Sequence, residues 1–146
     1  MKGVDFMSND TANKVSLKGY KVCEMQFINK LNEGNEVQLK NEVSYNVNYS
    51  DSENKCMGIC VFNVKNRDSA DESEFSIKIE IRGIFEYENL TSKKIVHAET
   101  FKELFPYIKQ IVSTLTTTAG MPPLVIPTIS IDADSVNVHE NNPRLN

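Results

Sequence analysis

The chain has no tryptophan, only two histidines, three cysteines and six glycines in 146 residues. Each scarcity narrows what it can do. His97 and His139 are all the imidazole available, and no nucleophile, base and orienting acid stand in a recognisable arrangement. No glycine-rich run offers a loop to cradle phosphates. The odd cysteine count (Cys23, Cys56, Cys60) leaves at least one thiol unpaired within a single chain, which suits a reducing compartment. No stretch approaches the roughly 18 apolar residues of a membrane helix. The opening MKGVDFMSNDTANK lacks the apolar core of a secretory signal, so the expected compartment is the cytoplasm, without membrane insertion. Positive charge is also short. The 16 Lys and Arg against 20 Asp and Glu give a net charge of -4 and a pI near 5.2. An acidic surface of this kind repels phosphate backbones, and no nucleic-acid partner is expected.

What is present is a strand-rich domain. Forty per cent of residues are hydrophobic, enough for one modest core. Residues 1–14 are polar and expected to be flexible, 15–136 form the single domain, and 137–146 are a polar tail expected to be disordered. From Val15 to Leu31 the apolar alternation switches parity twice: Val15 and Leu17, then Tyr20 and Val22, then Cys23, Met25 and Phe27. A bulge or bend near Gly19 explains the first switch. A turn around Gly34 leads to Val37, Leu39, Val43, Tyr45, Val47 and Tyr49 on one parity, a half-buried strand. Lys55 to Val64 is apolar on both parities and reads as covered on both faces. The fourth strand alternates Phe75, Ile77, Ile79, Ile81, Phe85 and Tyr87 with polar residues, Ile84 being the one apolar residue on the polar side. Four strands joined by short polar turns predict an antiparallel meander.

A helix follows. Phe101, Leu104, Phe105, Ile108, Ile111, Val112 and Leu115 share one face. Thr100 with Glu103 fits a capping box at its start, Pro106 predicts a kink or restart, and Gly120 with Pro122 and Pro123 ends it. The segment MPPLVIPTISID is then apolar and proline-rich, hence extended. The fold class is α+β: a four-stranded antiparallel sheet with a long C-terminal helix on one face and an extended Pro-rich crossover.

Leu104-Phe105-Pro106-Tyr107, then Gly120-Met121-Pro122-Pro123-Leu124, Ile126-Pro127 and Ile131-Asp132 resemble the SecB-like family of export chaperones, whose pattern runs LFPYAR, helix, GGFPPL and NFDAL. Arg82-Gly83-Ile84-Phe85 is similar to that family's GGIF segment. The resemblance covers Phe75 to Asp134. It implies a homodimer or homotetramer without cofactors that binds unfolded client polypeptides in apolar surface grooves, with the preprotein translocase motor as a further partner. Carried over by position, it implies that Phe85, Tyr87, Met121, Leu124 and Ile126 line the groove. Leu104, Phe105 and Ile108 are further candidates, although that helix face could instead pack on the sheet. Asp in place of Leu124 and Ile126 together is then expected to abolish client binding and leave the fold intact. Two departures stand out. The family's last helix is truncated or missing after Ile131-Asp132-Ala133-Asp134. Ser76 and Lys78 also stand where the family has an acidic outer face for the motor, with Glu80 alone keeping the sign.

Alternative readings accompany these. Ile77, Ile79 and Ile81 read as core or as an oligomer interface. Cys56 and Cys60 lie about 13 Å apart on a strand, too far for one zinc, so no metal site is assigned. Asp68 to Glu74 reads as a solvated loop or a weak calcium site. In place of a general holdase for protein export, the chain could serve one client, such as an antitoxin of a toxin–antitoxin system. A small-molecule binder or enzyme on a similar scaffold would need a closed pocket with convergent polar groups.

Overall fold

The computed structural model describes residues 14–31, 38–50, 52–66, 74–127 and 129. In chain order they form β1 (Val15–Asn29), β2 (Leu39–Tyr49), β3 (Lys55–Asn66), β4 (Phe75–Tyr87) and α1 (Lys93–Thr118). The expected flexible segment 1–14 (all but Lys14), the turn around Gly34, the loop from Asp68 to Glu74 (all but Glu74), the segment around Ile131-Asp132 and the polar tail 137–146 lie outside the described residues.

The four strands make one antiparallel sheet in the order β1-β4-β3-β2. The α+β architecture agrees with the sequence expectation, but the strand order corrects the simple meander. β2, β3 and β4 do follow one another, while β1 sits beside β4 at the far edge. Burial explains the choice. β4 buries Phe75, Ile77, Ile79, Ile81 and Phe85, and β3 buries Cys56, Cys60, Phe62 and Val64. These two strands need neighbours on both sides. A meander in chain order would strand the isoleucines of β4 on an edge and put the mostly exposed β2 inside. The end of β1 (Asn29, opposite Phe75) and the start of β2 (Leu39, opposite Asn66) lie at the same end of the sheet. The crossing spans three strand spacings, about 14 Å, well within reach of the connecting chain.

β1 carries two register shifts, between Leu17 and Gly19 and between Val22 and Glu24. Lys18 and Cys23 are the extra residues. The shifts coincide with the two parity switches of the sequence, and they bring Val15, Leu17, Tyr20, Val22, Met25 and Phe27 onto one face. That is the face that α1 covers. The opposite face of β3, expected to be covered, holds Met57, Ile59 and Val61 only partly buried.

α1 begins at Lys93, a full two turns before the expected cap at Thr100. Ser92 is the N-cap, its hydroxyl accepting from the Ile95 N–H at 3.3 Å. Thr100 is instead a fully buried helical residue whose hydroxyl donates to the His97 carbonyl at 3.2 Å. The helix runs on through Pro106, whose ring is exposed. Phe101 stacks on Phe105 at 5.0 Å, and Phe105 meets Phe62 of β3 edge-on at 6.0 Å.

Two tyrosines of β2 fasten the helix to the sheet. The Tyr45 hydroxyl donates to Thr100 Oγ1 at 2.5 Å, and the Tyr49 hydroxyl donates to the Lys93 carbonyl at 3.2 Å. Gly58 and Gly83 lie directly opposite each other in β3 and β4. A Cβ at Gly58 would collide with the Tyr45 hydroxyl, and one at Gly83 would come within 2.9 Å of Leu104 Cδ1. The two glycines thus make the hollow in which Tyr45 and the helix settle.

Candidate functional site

Most of the helix face is consumed by the core. Phe85, Leu104 and Ile108 are fully buried, and Phe105 and Ile126 are 2% exposed. These five candidate groove residues therefore pack within the chain itself. Ile77, Ile79 and Ile81 are at most 1% exposed beneath α1, so they are core and not a surface between chains. The paired Asp substitution at Leu124 and Ile126 is accordingly expected to unfold the protein, because Ile126 belongs to the core cluster.

Tyr87, Met121 and Leu124 remain half-buried. Tyr87 meets Tyr49 edge-on at 6.2 Å. The proline-rich strap is held at its start by two hydrogen bonds, both to Thr116. Gly120, at φ 85°, turns the chain out of the helix in a conformation that glycine adopts without strain. The Met121 N–H donates to the Thr116 carbonyl at 3.0 Å, and the Leu124 N–H donates to Thr116 Oγ1 at 2.9 Å. Pro122 and Pro123 have no N–H to satisfy. Ile126 plugs into the core while Val125 is 80% exposed.

An apolar opening lies elsewhere, between β1 and α1. Tyr20, Val22 and Met25 form one wall, Tyr107, Ile111 and Leu115 the other, with Gln110 and Thr114 at the rim, around a trench of about 310 Å³. The bulges of β1 create it by turning Tyr20 and Val22 toward the helix. Tyr20 and Tyr107 meet across the trench at 4.4 Å. Tyr20 is 47% and Met25 52% exposed. The sequence did carry a signal for this site: Tyr107, Ile111 and Leu115 repeat every four residues on one flank of the helical stripe, beside the parity switch in β1.

The ionisable groups near the helix face are quieted by burial. It pushes the Cys56 and Cys60 thiols up to about 12, so both stay protonated at neutral pH. Burial also pushes the Tyr45 phenol up and lowers His97, which favours the neutral ring. Among the described residues no three His, Cys, Asp or Glu side chains gather where they could hold a metal ion. No described helix is long and apolar enough to cross a membrane. The trench is open and greasy, a shape that suits apolar side chains of a guest chain better than a small polar molecule.

Comparison with known proteins fits this geometry. Residues 21–136 match the family described as preprotein translocase subunit SecB. The protein-export protein SecB of Neorickettsia sennetsu is 38% identical over 74 residues, covering 46% of this chain and 44% of that protein. That of Cereibacter sphaeroides is 34% identical over 68 residues, covering 44% and 41%. The matches thus span less than half the length of these two relatives. An uncharacterized protein of Methanocaldococcus jannaschii is 29% identical over 141 residues, 87% of each chain. Among solved structures, the SecB-like chaperone of Mycobacterium tuberculosis in complex with a ChAD peptide from the HigA1 antitoxin shares the fold. Its TM-score is 0.65 at 15% identity, covering 83% of this chain and 94% of that one.

Proposed function

This chain belongs to the SecB family, and from that premise we propose that it is an ATP-independent holdase that keeps extended polypeptides from aggregating. The observation that carries the proposal is the trench between β1 and α1, which no described residue covers and whose walls are mostly apolar. A folded protein gains nothing from leaving Tyr20 and Met25 half in water unless something else covers them. Each Leu- or Phe-sized client side chain seated there would contribute about 1.5–3 kcal/mol. The outer edge of β2, which no other strand of the described sheet pairs, supports a second contact. Its pairing to β3 runs without a register shift over all 11 residues, and it contains no proline. From Leu39 to Asn48 its outward N–H and C=O groups meet no other strand of the described sheet and could pair with an extended client. Neither contact needs nucleotide or covalent chemistry. Assembly into a homodimer or homotetramer in the cytoplasm would put several trenches on one particle and raise avidity.

A second reading, a chaperone dedicated to one client, is favoured by the outer face of β4. Lys78 and Arg82 stand there, and Glu80 is engaged by Arg82 at 2.8 Å. This face lacks the free acidity that docking to a translocase motor would use. The solved relative bound to an antitoxin peptide gives that reading a precedent in kind.

The test is suppression of aggregation of an unrelated denatured protein, measured beside particle size. The wild-type chain is expected to suppress aggregation at near-stoichiometric ratios, and Met25→Asp with Ile111→Asp to lose that effect at unchanged circular dichroism. Full suppression by the double variant would refute the trench as the client site. Suppression confined to one neighbouring gene product, with no binding to the translocase motor, would select the single-client reading.

A further inference from the structure

The sheet face turned away from α1 holds an apolar strip that the core does not use. β3 presents Met57, Ile59 and Val61 there, and β4 presents Ile84 directly opposite Met57. None of the four belongs to the core cluster, and Ile84 is 44% exposed. Two open depressions of about 380 and 340 Å³ flank the Met57–Ile84 pair. The first is lined by Lys21, Cys23 and Arg82 and the second by Asn48 and Lys55.

The charge around this strip opposes the charge of the chain. The protein is net -4. Yet on β1, β3 and β4 this face carries Lys18, Lys21, Lys55, Lys65, Lys78 and Arg82 against Glu24, Glu80 and Glu86. All three carboxylates are already engaged, by Lys78 at 3.3 Å, Arg82 at 2.8 Å and Lys18 at 3.8 Å. β2 adds Lys40 and Glu42, which lie 3.9 Å apart and cancel, and Lys55 is likewise offset by Glu53 at 3.4 Å. Among the described residues no carboxylate pairs with Lys21 or Lys65. An aliphatic centre inside a basic rim is a complementary surface for an acidic, apolar-striped protein segment. The centre is built of methionine, isoleucine and valine and is no stack of aromatic rings, which favours protein over single-stranded nucleic acid.

We propose that this outer face docks an acidic amphipathic segment of a partner protein, separately from client binding at the trench. Met57 to Val61 spans about 13 Å, which two to three turns of a helix would cover. A suitable probe is a fluorescent helical peptide of about 14 residues with leucines at 3 and 4 spacing and glutamates elsewhere. The control is the same peptide with every glutamate exchanged for lysine.

The glutamate peptide is expected to bind, and the lysine peptide to bind at least about tenfold more weakly. Lys21→Glu with Arg82→Glu should weaken the glutamate peptide at least about tenfold, as should raising salt from about 50 to 500 mM. Bound peptide should slow alkylation of Cys23, which lines the first depression. Aggregation suppression by the same charge-reversed variant should be unchanged, which separates this face from the trench. The proposal is overturned if neither peptide binds, if both bind alike, or if the outer-face variants bind as wild type does. It is equally overturned if Ile84→Ser lowers the particle mass, which would make a second copy the occupant. Displacement of the peptide by a single-stranded oligonucleotide would overturn it too.

Discussion

Gly58→Ala tests how the helix is fastened to the sheet. The added methyl group would overlap the Tyr45 hydroxyl and come to 3.0 and 3.1 Å from Cζ and Cε1 of the ring. The ring has little room to retreat. It lies edge-on to His97 at 5.0 Å and to Phe101 at 5.2 Å, and its hydroxyl is held by Thr100. Overpacking of this kind costs about 1–3 kcal/mol, and the displaced hydrogen bond about 1 kcal/mol more. Replacing a strand glycine returns about 0.5–1 kcal/mol. The net expectation is a loss of about 1.5–3 kcal/mol. Tyr45→Phe alone should lose only about 1 kcal/mol, because the Thr100 hydroxyl still donates to the His97 carbonyl. In the Tyr45→Phe background the worst overlap disappears, so Gly58→Ala should then do less harm. Urea denaturation of the four proteins gives the coupling, expected to be about 1 kcal/mol or more. Additivity to within about 0.5 kcal/mol would refute the contact.

Other outcomes follow from the same coordinates. Thr116→Val removes the acceptor for the Leu124 N–H, so hydrogen exchange at Leu124 should accelerate about tenfold while global stability falls by about 1 kcal/mol. Burial lowers His97 from its ordinary 6.5. The unfolded chain therefore takes up the proton first, and stability should decline as pH falls below about 6.5 until the lowered folded value is passed. His97→Gln should flatten that part of a melting-temperature profile, and an unchanged slope would show that other groups carry it. Native protein should show one fast-reacting thiol, Cys23, while Cys56 and Cys60 react only on unfolding, because both are buried with raised pKa. Val125→Asp, at an 80% exposed position, should shift stability by no more than about 0.5 kcal/mol.

The strands, the helix and even the irregularity of β1 were legible in the sequence because period and parity are local properties. Strand order was not, since it depends on which strands most need neighbours, a comparison across the whole sheet. The helix start was misplaced because Thr100 and Glu103 mimic a cap. Buried Thr100 instead serves Tyr45, a residue 55 positions away. The resemblance pointed to the correct family, but most residues it implied for the groove lie in the core. One periodic stripe such as Leu104, Phe105 and Ile108 reads alike whether it faces its own sheet or a guest. The trench was missed because its two walls, β1 and the flank of α1, lie some ninety residues apart in the chain.

The irregular outer strand has a consequence for how such chains diverge. Lys18 and Cys23 are surplus to the pairing of β1 with β4. Losing either would leave every other partnership in phase. Removing one residue elsewhere in that strand would invert the sides on which its following side chains fall. Insertions and deletions between lineages should therefore cluster at those two points, making them the places where evolution can change the strand's length without rewriting it.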